Sequence, residues 1–185
     1  MSNWEDILNF KRGTDEIFRI LCFSSEEASD TDQILLWSHY SKNHRGIRIH
    51  FNSEFLETSR TKLYKVDYTD ERAQLDYTLD EKSRLFMKQL EKSFYTKSKA
   101  WKYEKEYRLF VDPEICQKKE VGDTFMYFVK IPIRSIVRVD LGAFCNKPHV
   151  QDTEILKELS HYKNVQFYKA TLDEEKYKLN YEMIN

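Results

Sequence analysis

Glycine and proline are scarce in this 185-residue chain, four and three respectively, and no stretch is rich in glycine and serine or of low complexity. A flexible linker has nowhere obvious to lie. With 41% hydrophobic and 15% aromatic residues, the chain has enough apolar side chains for one filled core, and a single domain over residues 1–185 is expected. Cysteine is also sparse. Cys22, Cys116 and Cys145 are odd in number and lack a CxxC spacing, which argues against a disulfide framework and a zinc ribbon. The spacing of five from His39 to His44 does not put both imidazoles on one helix face, and no HExxH completes a zinc set, so no metal site is read.

Long apolar runs are missing too. Each is of strand length, short of the roughly 20 residues a membrane span needs, and the opening MSNWEDILNF lacks the basic-then-apolar order of a signal peptide. The expectation is a soluble cytoplasmic protein. No glycine-rich phosphate loop appears, which removes Rossmann and Walker-type nucleotide binding. Neither sign of charge dominates: 30 basic side chains face 31 acidic ones, so the whole molecule is not a polycation seeking nucleic acid.

What is present is periodicity. Ile17 to Ser24 is a short apolar run with polar flanks, read as a buried strand. SEEASDTD after it reads as a loop, and Gln33 to Asn43 as a short helix from the recurrence of Ile34, Trp37 and Tyr40. Ile47, Ile49 and Phe51 alternate with Arg48 and His50, the pattern of a half-buried strand. Lys62 to Tyr68 alternates likewise. Leu79, Phe86, Leu90 and Phe94 form a helical stripe. Glu106 to Asp112 reads as a strand with Tyr107, Leu109 and Val111 on one face and Glu106 with Arg108 on the other. Strands follow around Phe125 to Ile133 and Ser135 to Leu141, then a helix from Asp152 to Tyr162 and a strand from Val165 to Ala170. Hairpin-like pairs mixed with separated helices give the α+β class, with a mostly antiparallel mixed sheet flanked by helices.

Candidate chemistry gathers in two stretches. In LLWSHYSKNHRGIRIHF, residues 35–51, His39 is a candidate catalytic or donor group, while Trp37 and Tyr40 are expected to pack and to line a ligand. Arg45 and Arg48 flank the glycine turn, where guanidinium groups grip carboxylates or phosphates. A helix-end histidine and solvated edge-strand arginines stand as the structural alternatives. In the second stretch, Lys88 to Arg108 holds seven Lys/Arg against three Glu, interleaved with Phe94, Tyr95, Trp101, Tyr103 and Tyr107. That mixture suits a phosphate-bearing ligand or single-stranded nucleic acid; a solvated helix face is the alternative. Glu106 beside Arg108, following Trp101, is the sharpest catalytic candidate, as a fixed anion or a base. Its alternative is a cross-strand ion pair. Cys22 is expected to be a buried structural thiol.

The CFS at Cys22 to Ser24, the LLWSHYSKNHRGIRIHF stretch, KAWKYEKEYRLF from Lys99 to Phe110, and the ending IVRVDLGAF followed by NVQFYKATLDEEKYKLNYEMI together resemble DUF2971, a family of uncharacterised bacterial proteins. The resemblance in order and spacing runs over nearly the whole chain. It supplies relatives without an activity. Members usually carry an N-terminal part with an NDPFE-like motif before the CFS strand; this chain begins at Met1 shortly before that strand, so this part of the pattern is expected to be absent. The family layout is also more distantly similar to the ADP-ribosyltransferase group, whose split antiparallel sheets hold NAD with a His or Arg, a Tyr and a late acidic residue.

Together these readings give a cleft for a nucleotide-like or phosphate-bearing ligand, using Trp37, His39, Tyr40, Arg45, Arg48, Trp101, Glu106 and Arg108, with NAD as the cofactor the resemblance implies. ADP-ribosyl transfer in a toxin or phage-defence setting is the matching reaction. The rival is a non-catalytic protein that binds or regulates a protein partner. RNA or single-strand binding through Lys88 to Arg108 is the third reading.

Overall fold

The alternation at Ile47, Ile49 and Phe51 does give a strand with the expected bounds, and most other periodic stretches fold as their spacing demands. The structure is a computed structural model that describes residues 19–80, 82–145, 158, 162 and 164–184. In chain order its main elements are β1 (Arg19–Ser24), α1 (Asp30–Tyr40), β2 (Ile47–Phe51), β3 (Thr61–Lys65), β4 (Asp67–Thr69), α2 (Arg84–Phe94), β5 (Thr96–Ser98), β6 (Glu106–Val111), β7 (Gln117–Val121), β8 (Thr124–Phe128), β9 (Ile136–Leu141), β10 (Gln166–Leu172) and β11 (Leu179–Met183). The class is α+β with mostly antiparallel pairing. Among the described residues no helix is long and apolar enough to cross a membrane.

The contacts gather into two compact units, each assembled from two separate lengths of chain. One takes the described residues within Met1–Ser25 and Leu56–Lys130. Its central sheet has the order β1-β6-β3, antiparallel throughout, with Cys22 opposite Arg108 on one side and Leu63 opposite Leu109 on the other. Leu109, Phe110 and Val111 are all buried, so β6 is covered on both faces rather than one. α2 starts on a Ser83 cap and buries Phe86 and Leu90, two members of the expected stripe. Leu79 precedes the helix. The expected strand Lys62 to Tyr68 is interrupted at Val66: its N–H still reaches the Glu106 carbonyl in the β3–β6 register, but the Glu106 N–H goes to the Tyr68 hydroxyl, and β4 leaves to pair in parallel with β5. β7 and β8 form a separate hairpin.

The other unit takes Glu26–Phe55 and the described residues within Ile131–Asn185. Its sheet runs β11-β10-β9-β2, with β9 and β10 parallel and the other pairs antiparallel. One face carries the core of Val139, Leu141 and Phe167, closed by Val165. α1 begins three residues before the expected start, because Ser29 and Asp32 form a reciprocal capping box. After Tyr40 the chain reverses through Lys42, Asn43 and His44, all at positive φ. The expected helix Asp152 to Tyr162, apart from Glu158 and Tyr162, and the start of the first strand, Ile17 and Phe18, lie outside the described residues.

Candidate functional site

In a strand, residues two apart share a face, so Arg48 and His50 of β2 and Arg138 and Asp140 of β9 project together when their strands pair. The register does pair them, Arg48 with Asp140 and His50 with Arg138, and sets Tyr168 of β10 next to Asp140. Asp140 is completely buried. Its Oδ2 accepts from Arg48 Nε at 2.9 Å and Nη2 at 2.6 Å and from His50 Nε2 at 2.7 Å; its Oδ1 accepts from Arg138 Nε at 2.5 Å. Burial by itself would raise this carboxyl, but the hydrogen bonds from His50 and Arg138 and the charge of Arg48 win, holding its pKa down to about 2. The carboxylate is therefore ionised at neutral pH.

Around this anion stands a shell of rings. The Arg138 guanidinium lies 3.8 Å from the centre of the Tyr168 ring and 5.0 Å from that of Tyr181, and Arg48 lies 5.0 Å from Tyr181 and 5.5 Å from Trp37. Trp37 Nε1 donates to the Tyr181 hydroxyl at 3.1 Å, which itself donates to Gln33 Oε1 at 3.2 Å. Arg48 Nη1 donates to the same Gln33 oxygen at 3.1 Å. Burial pushes the Tyr181 phenol up. Outside the shell, exposed Glu26 meets His50 Nδ1 at 3.2 Å. Two guanidinium groups share one buried carboxylate, and Glu26 supplies a second negative charge at the exposed His50 edge. Both arginine side chains stay partly open, 30% for Arg48 and 27% for Arg138.

The first unit holds a second charged centre. Glu106 is buried, and its oxygens accept from Arg108 Nε at 2.8 Å and Lys97 Nζ at 2.9 Å. Lys97 also reaches buried Glu104, while Arg108 donates to the Phe94 carbonyl. Tyr68 accepts from the Glu106 backbone N–H at 2.9 Å. Burial opposes the ionised form of Glu106, yet Arg108, Lys97 and the Cys22 thiol hold its pKa down to about 2. Cys22 is exposed, contrary to the expected buried thiol; desolvation of its sulfhydryl, followed by the bond to Glu106, pushes it up to about 11. Such a carboxylate is a fixed anion. A proton acceptor working at neutral pH needs a value nearer 7.

Of the residues singled out in the sequence, Trp37 and Arg48 meet in the Asp140 centre. Glu106 and Arg108 meet in the other, with Trp101 beside it through Lys97, whose Nζ lies 5.2 Å from the indole. His39, Tyr40 and Arg45 are exposed. Tyr40 was expected to pack beside Trp37 but is 66% open to solvent, because α1 turns it away at its last residue. Sequence reading missed Asp140, Arg138, His50, Tyr168 and Tyr181. One signal was available: Arg138 and Asp140 share a face of an otherwise apolar strand, IVRVDL, as Arg48 and His50 do on theirs. In the basic stretch, Lys97 and Arg108 are committed to carboxylates, and Lys99 pairs with Asp70 at 2.6 Å.

Comparison with known families now gives one result. Residues 36–109 match DUF2971, a protein family of unknown function. The matched segment runs from Leu36 in α1 to Leu109 in β6, a narrower span than the near whole-chain resemblance read from the sequence. It contains Trp37, Arg48, Trp101, Glu106 and Arg108 but stops short of Arg138, Asp140, Tyr168 and Tyr181. No curated protein and no solved structure matches the chain.

Proposed function

We propose that this protein binds an anionic ligand of the nucleotide or phosphate-bearing class at the Arg48–Arg138 face of the four-stranded sheet. The observation that carries the reading is the fully buried Asp140 holding two part-exposed arginines in fixed orientations. Guanidinium groups pre-oriented by a buried carboxylate and flanked by tyrosine rings are what recognition of phosphate oxygens requires, because the ordering cost is met before the ligand arrives. Arg138 uses Nε on Asp140, and among the described residues its terminal nitrogens are left for an external oxygen. If the ligand is NAD, transfer of its ADP-ribose is the reaction to assay, with His39, in the same unit as the two arginines, as the catalytic candidate carried from the sequence.

Calorimetric titration with NAD, ATP and inorganic phosphate tests the reading. Binding by wild type that weakens about tenfold or more in Arg138→Lys, where charge is kept but the planar fork is lost, supports it. Heatless titrations with all three ligands would remove it.

A second reading, a protein that acts by binding a protein partner, is favoured by the β7–β8 hairpin, where Phe125, Met126, Tyr127 and Phe128 are all exposed.

A further inference from the structure

The β7–β8 hairpin pairs with no other strand among the described residues, and every residue of both strands is exposed. Phe125, Met126, Tyr127 and Phe128 stand 57%, 47%, 44% and 42% open. On this chain the rings meet cations: Lys118 lies 4.1 Å from the centre of Phe125, Arg19 lies 3.9 Å from that of Tyr127, and Lys119 lies 5.5 Å from that of Phe128. A two-stranded ribbon alone in water is marginal, and a third strand or a packed face is what ordinarily steadies it.

The two edges differ. β7, QKKEV, carries three charges, the usual protection against pairing with another chain; β8, TFMYF, has no charge, no proline and no glycine. The turn fixes which β8 groups are available. Val121 opposes Thr124 across Gly122 at φ 60° and Asp123, a two-residue loop whose closing pair is hydrogen-bonded. By ladder alternation, Thr124, Met126 and Phe128 bond to β7, while Phe125 and Tyr127 turn their N–H and C=O outward. We propose that β8 pairs antiparallel with β8 of a second copy of this chain, about a two-fold axis at Met126.

That register sets Phe125 opposite Tyr127 twice and Thr124 opposite Phe128, and it brings no like charges together. It also meets each outward backbone group with a partner and joins two ribbons into a four-stranded sheet. Self-complementarity of this kind is the requirement of a two-fold interface.

Sedimentation equilibrium of the full chain across a concentration series tests the proposal. Wild type is expected to dimerise, and Met126→Lys, which sets two ammonium groups face to face, is expected to be monomeric with an unchanged circular dichroism spectrum. A second variant is independent of any loss of folding. Cα atoms at the two-fold, non-hydrogen-bonded position lie about 4.5 Å apart, within disulfide reach, so Met126→Cys should form a disulfide-linked dimer under mild oxidation while Thr124→Cys, which faces Phe128 of the other copy, should not. A monomeric wild type, a dimer that survives Met126→Lys, or equal cross-linking of the two cysteine variants would each overturn the proposal.

Discussion

Ser38 receives the Nε2 hydrogen of His44 across 3.1 Å, because its own hydroxyl proton is committed to the Ile34 carbonyl oxygen at 2.9 Å. That commitment fixes the imidazole tautomer and leaves Nδ1 as a bare acceptor, buried and without a hydrogen-bond partner among the described residues. A second proton on this ring would have nowhere to donate.

Burial accordingly lowers the His44 pKa from its ordinary 6.5. The unfolded chain takes up the proton more readily than the folded one, so the contribution of this residue to stability is full above the unfolded value and is lost as pH falls through the lowered one. Urea midpoints of wild type should drop as pH falls below the ordinary value of 6.5. In His44→Asn, which tolerates the positive φ of this turn, that part of the drop should disappear. An unchanged slope in the variant would assign the pH dependence to other groups.

Asp140 predicts an effect at lower pH. Its carboxyl is held at about 2 against an ordinary 3.8, so the stability it supplies is complete above the ordinary value and fades as pH falls from about 4 to about 2. At neutral pH, Asp140→Ala strands Arg48, Arg138 and His50 around an uncompensated site. A cost of about 3–5 kcal/mol is expected, read by urea denaturation, and a loss below about 1 kcal/mol would mean that the arginines find water readily once freed.

How far the sequence carried depended on whether a feature was local. Ile47, Ile49 and Phe51 alternate within one strand, and their pattern was enough to place β2. The start of α1 is also local: Ser29 and Asp32 have the spacing of a cap, although the polar run SEEASDTD reads as a loop through Asp32. Alternation from Lys62 to Tyr68 could not reveal the break at Val66, since the Glu106 N–H that would complete the ladder there goes instead to the Tyr68 hydroxyl. The same limit hid the Asp140 centre. Arg48 was visible as a candidate, but only the β2–β9 register says which carboxylate it meets 92 residues later. Glu106 and Arg108, two apart on one strand, were paired correctly for the opposite reason. The paired basic stretch shows a further limit: composition counts cations without showing that Lys97, Lys99 and Arg108 each face a carboxylate.

Gly142 should be the least replaceable of the glycines among the described residues. A Cβ there would lie 2.2 Å from the His44 carbonyl oxygen and 2.7 Å from its carbon, and that oxygen already accepts the Phe144 N–H at 2.9 Å. Backbone on both sides cannot yield as a flexible side chain would. Gly142→Ala is expected to cost about 3 kcal/mol or more. Gly46→Ala meets atoms of Ser41 at 3.2–3.3 Å and should cost clearly less. Thermal melts of the two variants side by side check the order, and equal melting temperatures would show that the Lys42–His44 turn moves freely.

Cys22 should be a slow nucleophile despite its exposure. Desolvation and its bond to the Glu106 carboxylate raise the thiol from 9.0 to about 11, so near neutral pH it holds on the order of a hundredfold less thiolate than an unperturbed cysteine. Alkylation by iodoacetamide follows the thiolate, and in a Cys116→Ser, Cys145→Ser background the modified site is Cys22. Its rate should rise with pH without levelling until well above 9. Glu106→Gln removes the charge that disfavours the thiolate, while Arg108 and Lys97, the two cations that favour it, remain. Alkylation in that variant should therefore quicken several-fold at the same pH. A wild-type rate that levels near 9, or one that Glu106→Gln leaves unchanged, would mean that the sulfur lies free of the carboxylate in solution, and the picture of Glu106 as an anion held by Arg108, Lys97 and Cys22 together would lose its third member.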